Sequence, residues 1–240
     1  MKKIIIIILA FIQVQCSNAQ FFGKKVKGDG NLTEIQKQVG TYQSISVSGS
    51  FNVEIVAGNE GLIEVSIEEN LVEYLEIENN NGNLKIKWKE FSNIQTSKEV
   101  DIKIPVEDLD KITLAGSGEI YNKEMLKLNE LDLTMAGSGN IKLNLSTNSL
   151  VANLAGSGDI ELFGSTETAR FKMAGSGDIE AFAFKAHDVT ASIAGSGSIK
   201  LYADVNLKAE IAGSGDIQYK GNPASDDVKV AGSGRVKMVP

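Results

Sequence analysis

The chain contains one cysteine and one histidine, and these low counts exclude several kinds of site. Zinc sites draw on several Cys and His side chains, and this sequence does not hold enough of them. The single cysteine, Cys16, lies close to the N-terminus, so disulfide bonds cannot hold the rest of the chain together. Stability must therefore come from burial of apolar side chains and from hydrogen bonds.

Basic residues are fewer than acidic ones, 24 against 31, and the formal net charge is −7. Because nucleic-acid binding depends on clustered Lys and Arg, this balance argues against a nucleic-acid partner. Beyond the first residues no long apolar run occurs, so we expect no transmembrane helix in the mature chain. Proline is rare, with 3 residues, whereas the 24 glycines recur at fixed offsets and do not cluster as in a flexible linker.

Residues 1–19 are predicted to be a signal peptide. Lys2 and Lys3 precede a short apolar run, and a small-residue stretch ends at Ala19, which is typical of a segment removed during export. Cleavage there leaves a chain without cysteine and with a net charge of −9. The destination is then the periplasm, the outer-membrane surface or the extracellular space. A lipid anchor on Cys16 is the less favoured alternative, because glutamine occupies both preceding positions that lipoprotein processing reads.

An internal repeat of Ala-Gly-Ser-Gly dominates the second half of the chain. Its seven copies are spaced by 21, 19, 19, 20, 18 and 19 residues. A fixed period near twenty indicates a solenoid, in which each coil buries its face only against its neighbours. The copies begin at Ala115, Ala136, Ala155, Ala174, Ala194, Ala212 and Ala231.

Residues around each copy alternate with a period of two, as in β-strands. From Leu131 to Leu145 every second residue is apolar or glycine, and the alternation continues through the motif. Both glycines are therefore expected to point inward, and Ala and Ser to point outward. In a stack, equivalent glycines lie above one another, and successive backbones press together along one edge. These structural glycines are Gly116, Gly118, Gly137, Gly139, Gly156, Gly158, Gly175, Gly177, Gly195, Gly197, Gly213, Gly215, Gly232 and Gly234.

The pattern predicts an all-β fold, a single-stranded parallel β-helix with coils of about 19 residues. A meander of hairpins is the alternative, but tight hairpin turns favour Asn-Gly or Asp-Gly, which Ala-Gly-Ser-Gly does not resemble. We expect residues 41–240 to form one continuous unit, with the repeats in 111–240 and irregular first coils in 41–110. An Asn-Gly turn at 81–82 favours local antiparallel pairing in that first part. Residues 20–40 are expected to form a mobile lead-in.

Several motifs taken together resemble those of one known family. They are the signal peptide, the alternating stretch from Ile45 to Val53 with a degenerate motif at Gly49, a strand-to-turn passage containing Pro105, and the repeated Gly-Ser-Gly-x-Ile units. The chain resembles the putative auto-transporter adhesin, head GIN domain family of exported Bacteroidetes proteins over roughly residues 41–235. Membership implies a β-helical fold and an envelope or surface location. It supplies no catalytic residue.

The residue that follows each motif offers the one row of potential metal ligands. In a stack these residues form an outer line with several carboxylates, and carboxylate oxygens are ligands for Ca²⁺. Calcium-binding β-rolls repeat every nine residues, however, so we prefer a solvated row and predict no metal. The row comprises Glu119, Asn140, Asp159, Asp178, Ser198, Asp216 and Arg235.

No catalytic residue is predicted from the repeated serine. A nucleophile elbow places Gly-x-Ser-x-Gly between a strand and a helix, whereas a serine repeated seven times without helices indicates a structural role. Gly-Ser-Gly also lacks the third glycine and the helix of a dinucleotide site. His187, the one histidine, is expected to be an ordinary surface residue. The chain is therefore predicted to be neither an enzyme nor a carrier of a cofactor.

Aromatic side chains provide the candidate ligand contacts. Phe182 and Phe184 share the parity opposite to the inward glycines, so both are expected to face outward and to stack on a sugar ring; Phe163, Tyr202 and Tyr219 are further candidates. Packing beneath a loop or a subunit is the alternative role for the pair.

The expected function is that of a non-catalytic exported envelope or cell-surface protein, an adhesin or binding scaffold for a glycan or protein ligand. A polysaccharide-acting β-helix enzyme is one alternative. A structural component that forms a homo-oligomer through its open end strands is another.

Overall fold

A computed structural model describes residues 24–240 of the chain. The predicted signal peptide, residues 1–19, and the alternative lipid anchor at Cys16 lie outside the described residues. Within the described part, no helix has the length and the apolar character needed to cross a membrane.

The second half of the chain is a stack of coils joined by parallel β-pairing, and the predicted parallel β-helix is confirmed. At the glycine motif, consecutive repeats align residue for residue, since each motif pairs with the same motif one coil away. This regularity follows from the near-constant repeat length, because a one-residue slip moves every inward side chain to the surface. The strands are β10 Lys111–Gly116, β11 Glu119–Tyr121, β12 Leu126–Lys127, β13 Glu130–Gly137, β14 Asn140–Gly156, β15 Asp159–Gly175, β16 Asp178–Gly195, β17 Ser198–Gly213, β18 Asp216–Lys220, β19 Ser225–Gly232 and β20 Arg235–Met238.

The first part of the chain is less regular and closes the N-terminal end of the stack. It extends the same sheet with parallel pairs and adds three antiparallel pairs, β2–β5, β5–β9 and β6–β7. A 3-10 helix follows β5 at Glu69–Tyr74. The strands are β1 Lys24–Lys27, β2 Leu32–Gln38, β3 Ser44–Gly49, β4 Asn52–Ala57, β5 Leu62–Glu68, β6 Leu75–Asn80, β7 Asn83–Trp88, β8 Ser92–Gln95 and β9 Asp101–Val106.

The mobile lead-in expected for residues 20–40 is wrong for its described part. β1 pairs with β8 and β2 pairs along its whole length with β5. Glu68 at the end of β5 is fully buried, and its carboxylate accepts hydrogen bonds from the backbone N–H groups of Gly30, Ser97 and Lys98. Burial by itself raises the pKa of Glu68, but these hydrogen bonds outweigh it and leave the pKa below its usual range. The charged carboxylate thereby fastens this segment to the first coils.

The predicted Asn-Gly turn is confirmed and joins β6 to β7. Asn81 and Gly82 have φ values of 54° and 82°, as a tight hairpin of this type requires. Beside it, Tyr42 is buried and its hydroxyl donates to the carbonyl of Pro105. Burial, together with the nearby carboxylate of Glu60, raises the pKa of the Tyr42 hydroxyl, which keeps it a donor.

Glycines form two columns at one corner of the solenoid. The first column begins at Gly49, beneath Gly116, and its φ values lie between 133° and 145°, a region that side-chain-bearing residues rarely adopt. A Cβ placed on Gly175 would lie 2.1 Å from the carbonyl oxygen of Gly156 one coil below. In the second column, a Cβ on Gly177 would lie 2.0 Å from the oxygen of Gly158. The corner is therefore backbone stacked on backbone.

Large apolar side chains fill the interior on both sides of this corner. Met135, Leu154, Met173 and Ile193 precede the first glycine in successive coils and are all at most 3% exposed. At the N-terminal end Phe51 stands where the second glycine column would continue, and its ring packs at 4.9 Å against Trp88. The core is thus one continuous apolar column that is covered at its start.

Candidate ligand-binding face

Three aromatic side chains line the outer face that follows the glycine corner. Phe163, Phe182 and Tyr202 belong to successive strands β15, β16 and β17, and all three are half-buried. The register places Phe163 beside Ala183, the neighbour of Phe182, and Tyr202 beside Lys185. We call these three residues the aromatic strip. They stand on a face whose other outward positions are mainly polar, so their exposure needs an explanation.

Phe184 does not join the strip, and the expectation that it faces outward is wrong. Its side chain is 1% exposed and belongs to the core, whereas Phe182 remains at the surface. The coil that contains them has 20 residues, one more than the coil before it. The register shifts by one between Glu161 and Phe163, so that Gly164 pairs with Phe184. After Phe182 this bulge reverses the alternation of inward and outward side chains. The ring of Phe184 therefore points inward, beside Gly164 of the neighbouring coil, which has no side chain.

Lysine side chains accompany the aromatic strip. Lys142 Nζ lies 5.3 Å from the centre of the Phe163 ring, and Lys220 Nζ lies 5.0 Å from that of Phe182. Both distances are in the range of a cation–π contact. The alternation of inward and outward residues along one strand does not predict these contacts, because each lysine lies in a different coil from its aromatic ring. The repeat period could have placed them, since Lys220 pairs with Tyr202 one coil away.

A row of charged side chains runs beside the strip, one outward position closer to the corner. Lys142 Nζ lies 2.7 Å from Glu161, and Lys200 Nζ lies 2.8 Å from Glu180. Lys200 donates this hydrogen bond to the Glu180 carboxylate, which raises the pKa of Lys200 and so keeps its ammonium group charged. Each charge in the row thus has an opposite charge one coil away, and the row as a whole is nearly neutral. Its polar atoms remain partly exposed and can bond to a ligand lying on the strip.

The row that follows each motif has a structural role of its own. Asp159 Oδ1 accepts the backbone N–H of Asp178 at 3.1 Å, and Asp178 Oδ1 accepts that of Ser198 at 3.1 Å. Asp216 Oδ1 accepts the N–H of Arg235 at 2.9 Å. An aspartate here therefore caps the strand that starts one coil later. Across residues 24–240, no group of three or more His, Cys, Asp or Glu side chains is arranged to hold a metal ion.

The repeated serines and the histidine lie away from the strip. Each serine of the motif is exposed, and from the second copy onward its backbone N–H donates to the first glycine of the preceding coil, as from Ser176 to Gly156 at 2.9 Å. His187 is exposed at another bend, with Nδ1 3.2 Å from Asp204 and Nε2 4.0 Å from Glu167.

Two further depressions open on the surface. One, of about 490 Å³, lies on the N-terminal sheet between acidic side chains and the ring of Tyr121. The other, of about 480 Å³, follows one bend across five coils between a row of Ser, Thr, Asp and Asn and a row that includes Arg170 and Lys208. In the second, Asn206 donates to Asp188, so part of its polar wall is already satisfied. Neither combines several aromatic rings with polar groups, as the strip does.

Fold and surface together define a parallel β-solenoid protein with half-buried aromatic side chains along one face. The chain belongs to the putative auto-transporter adhesin, head GIN domain family, whose model matches residues 41–223. The resemblance observed in the sequence is thereby confirmed. A search of curated proteins finds no match.

Solved structures share the fold over most of the chain. A putative adhesin from Bacteroides fragilis is 23% identical, with a TM-score of 0.84, and the alignment covers 89% of this chain and 100% of that one. A putative lipid binding protein from Parabacteroides distasonis is 32% identical, with a TM-score of 0.77 and coverage of 90% and 100%. A putative adhesin from Parabacteroides merdae is 26% identical, with a TM-score of 0.72 and coverage of 90% and 99%. The first likeness supports the fold alone, and the second also supports the family.

Proposed function

We propose that this chain is a non-catalytic surface protein that binds an extended glycan along the aromatic strip. The observation that supports it is the presence of three half-buried rings, Phe163, Phe182 and Tyr202, on successive coils of one rigid face. Stacked strands repeat every ~4.8 Å, so an elongated ligand aligned with the solenoid axis meets the rings in turn. Export to the cell surface fits the predicted signal peptide at residues 1–19 and the adhesin description of the family.

The chemistry of the strip favours a glycan over other ligands. An aromatic ring offers an apolar surface to the carbon-bound face of a sugar, while the sugar hydroxyls need hydrogen-bonding partners beside it. The partly exposed row of Lys142, Glu161, Glu180 and Lys200 supplies such partners. Because that row is internally neutralised and the chain carries a net charge of −7, the expected glycan is uncharged or weakly charged.

The alternative of a polysaccharide-cleaving enzyme fits this face less well. A glycosidase uses two carboxyl groups, one of which must carry a proton that it gives to the leaving group. The two carboxylates beside the strip, Glu161 and Glu180, each contact a lysine ammonium group, at 2.7 and 2.8 Å. Both carboxylates are thus already engaged as acceptors in ion pairs, and neither is placed to give a proton to a leaving group.

The test is a glycan array probed with the full chain, produced with residues 1–19 in place so that natural processing occurs. Calorimetry on the best neutral oligosaccharide then compares Phe163→Ser, Phe182→Ser and Tyr202→Ser with the parent. We expect each substitution to weaken binding by about tenfold or more, as for aromatic anchors in other interfaces. Phe91→Ser is the matched control, since Phe91 is 69% exposed and lies on the N-terminal part.

Three results would overturn the proposal. The first is binding that survives all three strip substitutions, and the second is release of shortened sugars from the bound glycan. The third is an array without any neutral glycan hit.

A further inference from the structure

The last coil leaves the apolar interior of the solenoid uncovered. Every residue of β19 is exposed, including Val228 and Val230 at 43% each. The residues that pair with them one coil earlier, Ala209 and Ile211, are 0% and 3% exposed. Met238 in β20 is 56% exposed. Since the side chains in the two valine positions are buried in every preceding coil, the end of the stack has the surface of a coil interior.

The strand at this end is also an unpaired edge. Among the strands that the structure describes, β19 pairs with β17 on one side and with no strand on the other. An edge with free backbone donors and acceptors next to exposed valines is a template for another strand.

The N-terminal end of the solenoid does not match the surface of the last coil. There β2 and β5 run antiparallel to each other, the 3-10 helix Glu69–Tyr74 packs its own Leu71 into the core, and the buried carboxylate of Glu68 ties the segments together. β2 itself is largely exposed and, apart from the exposed Leu32, presents mainly charged and amide side chains. A head-to-tail contact would place this polar cap on an apolar end, so the matching surface for the last coil is the same coil of a second copy.

We propose that the chain forms a two-fold symmetric dimer in which β19 of one copy pairs antiparallel with β19 of the other. The charges of Ser225–Gly232 distinguish two of the possible registers. With Val228 on the two-fold axis, Asp227 of each copy lies opposite Lys229 of the other, and Val228 lies opposite itself on the core side. The register centred on Lys229 places two ammonium groups against each other. Opposite charges across a strand pair stabilise it and like charges destabilise it, so the first register is preferred.

The side chains that make these pairs are available. Asp227 and Lys229 are 56% and 65% exposed, and Lys229 Nζ lies 3.5 Å from Asp227 and 3.9 Å from Glu210 within the same copy. These contacts are at the surface and exchange readily for contacts across the dimer. The proposal does not depend on glycan binding, because the aromatic strip lies on other strands.

The experiment measures the mass of the full, naturally processed chain by light scattering over a dilution series. We expect a dimer that dissociates on dilution. Lys229→Asp places Asp227 against an aspartate twice per dimer and should raise the dissociation constant about tenfold or more. Asp227→Lys should act in the same way, and the double variant that exchanges the two charges should restore the parent value. Lys172→Asp is the control, because Lys172 occupies the same outward column three coils away.

Circular dichroism of each variant verifies that the coils remain folded. The dimer is refuted by a monomeric mass at every concentration. The proposed register is refuted if Lys229→Asp leaves the dissociation constant of the dimer unchanged. It is also refuted if the double variant that exchanges the two charges does not restore the parent dissociation constant.

Discussion

Replacement of Gly175 by alanine tests the physical basis of the solenoid. The new Cβ would lie 2.1 Å from the carbonyl oxygen of Gly156, and the backbone φ of 140° is unfavourable for alanine. The strained backbone costs about 1–3 kcal/mol. The steric conflict adds about 1–3 kcal/mol, because the opposing atom is backbone and cannot rotate away. We therefore expect a loss of about 2–6 kcal/mol in the free energy of unfolding.

Two other glycines separate these contributions. Gly30 has a φ of 83° and no atom within 4 Å of its added Cβ, so Gly30→Ala should lose only about 1–2 kcal/mol through the backbone. Gly177 lacks the unusual φ, but its Cβ would lie 2.0 Å from Gly158, so Gly177→Ala should lose about 1–3 kcal/mol through the conflict alone.

Urea unfolding followed by far-ultraviolet circular dichroism measures all three variants against the parent. Fluorescence of Trp88, the one tryptophan, follows the N-terminal coils separately. The expected order of destabilisation is Gly175→Ala, then Gly177→Ala, then Gly30→Ala. If Gly175→Ala costs no more than Gly30→Ala, the backbones do not press together at the corner, and our explanation of the repeat is wrong.

Two further predictions concern buried side chains. The lowered pKa of Glu68 means that its contribution to stability is present above its unfolded pKa and is lost as the pH falls through its folded pKa. Glu68→Gln should lower the free energy of unfolding by about 1–3 kcal/mol at neutral pH. As the pH is lowered, the urea midpoint of this variant should also fall less steeply than that of the parent, and an equally steep fall contradicts this role. Phe184→Ala should lose about 3–5 kcal/mol. Phe182→Ala should lower the free energy of unfolding by less than about 1 kcal/mol. If the two variants lose the same stability in thermal unfolding, the two rings are not on opposite sides of the sheet.

The repeat made the architecture predictable from sequence, because glycines at a constant period report directly on contacts between coils. Gly116 and Gly137 are 21 residues apart in sequence and adjacent in space, and the same rule extends to the degenerate copy at Gly49. The turn at Asn81 was predictable for a different reason, since its backbone angles suit few other residue pairs.

The remaining features depend on exceptions to the period. Alternation assigned Phe184 to the surface, and one additional residue in its coil reversed the assignment. Residues 32–38 have few apolar side chains, so their alternation is faint, yet pairing with β5 orders them as a strand. The aromatic strip combines Phe163, Phe182 and Tyr202 from three coils, and a bulge in the middle one obscures their neighbourhood in the sequence.

The strict register at the glycine corner has a consequence for how such a protein evolves. The shifts within the paired long strands fall between Glu161 and Phe163, between Ala181 and Lys185, and between Ala186 and Asp188, and the additional residues of the 21-residue coil lie near Asn122, before β12. Insertions are thus absorbed away from the glycine corner, which keeps its alignment. Duplication of a whole coil lengthens the molecule without disturbing its neighbours, and new ligand preferences can arise where the fold already tolerates irregularity.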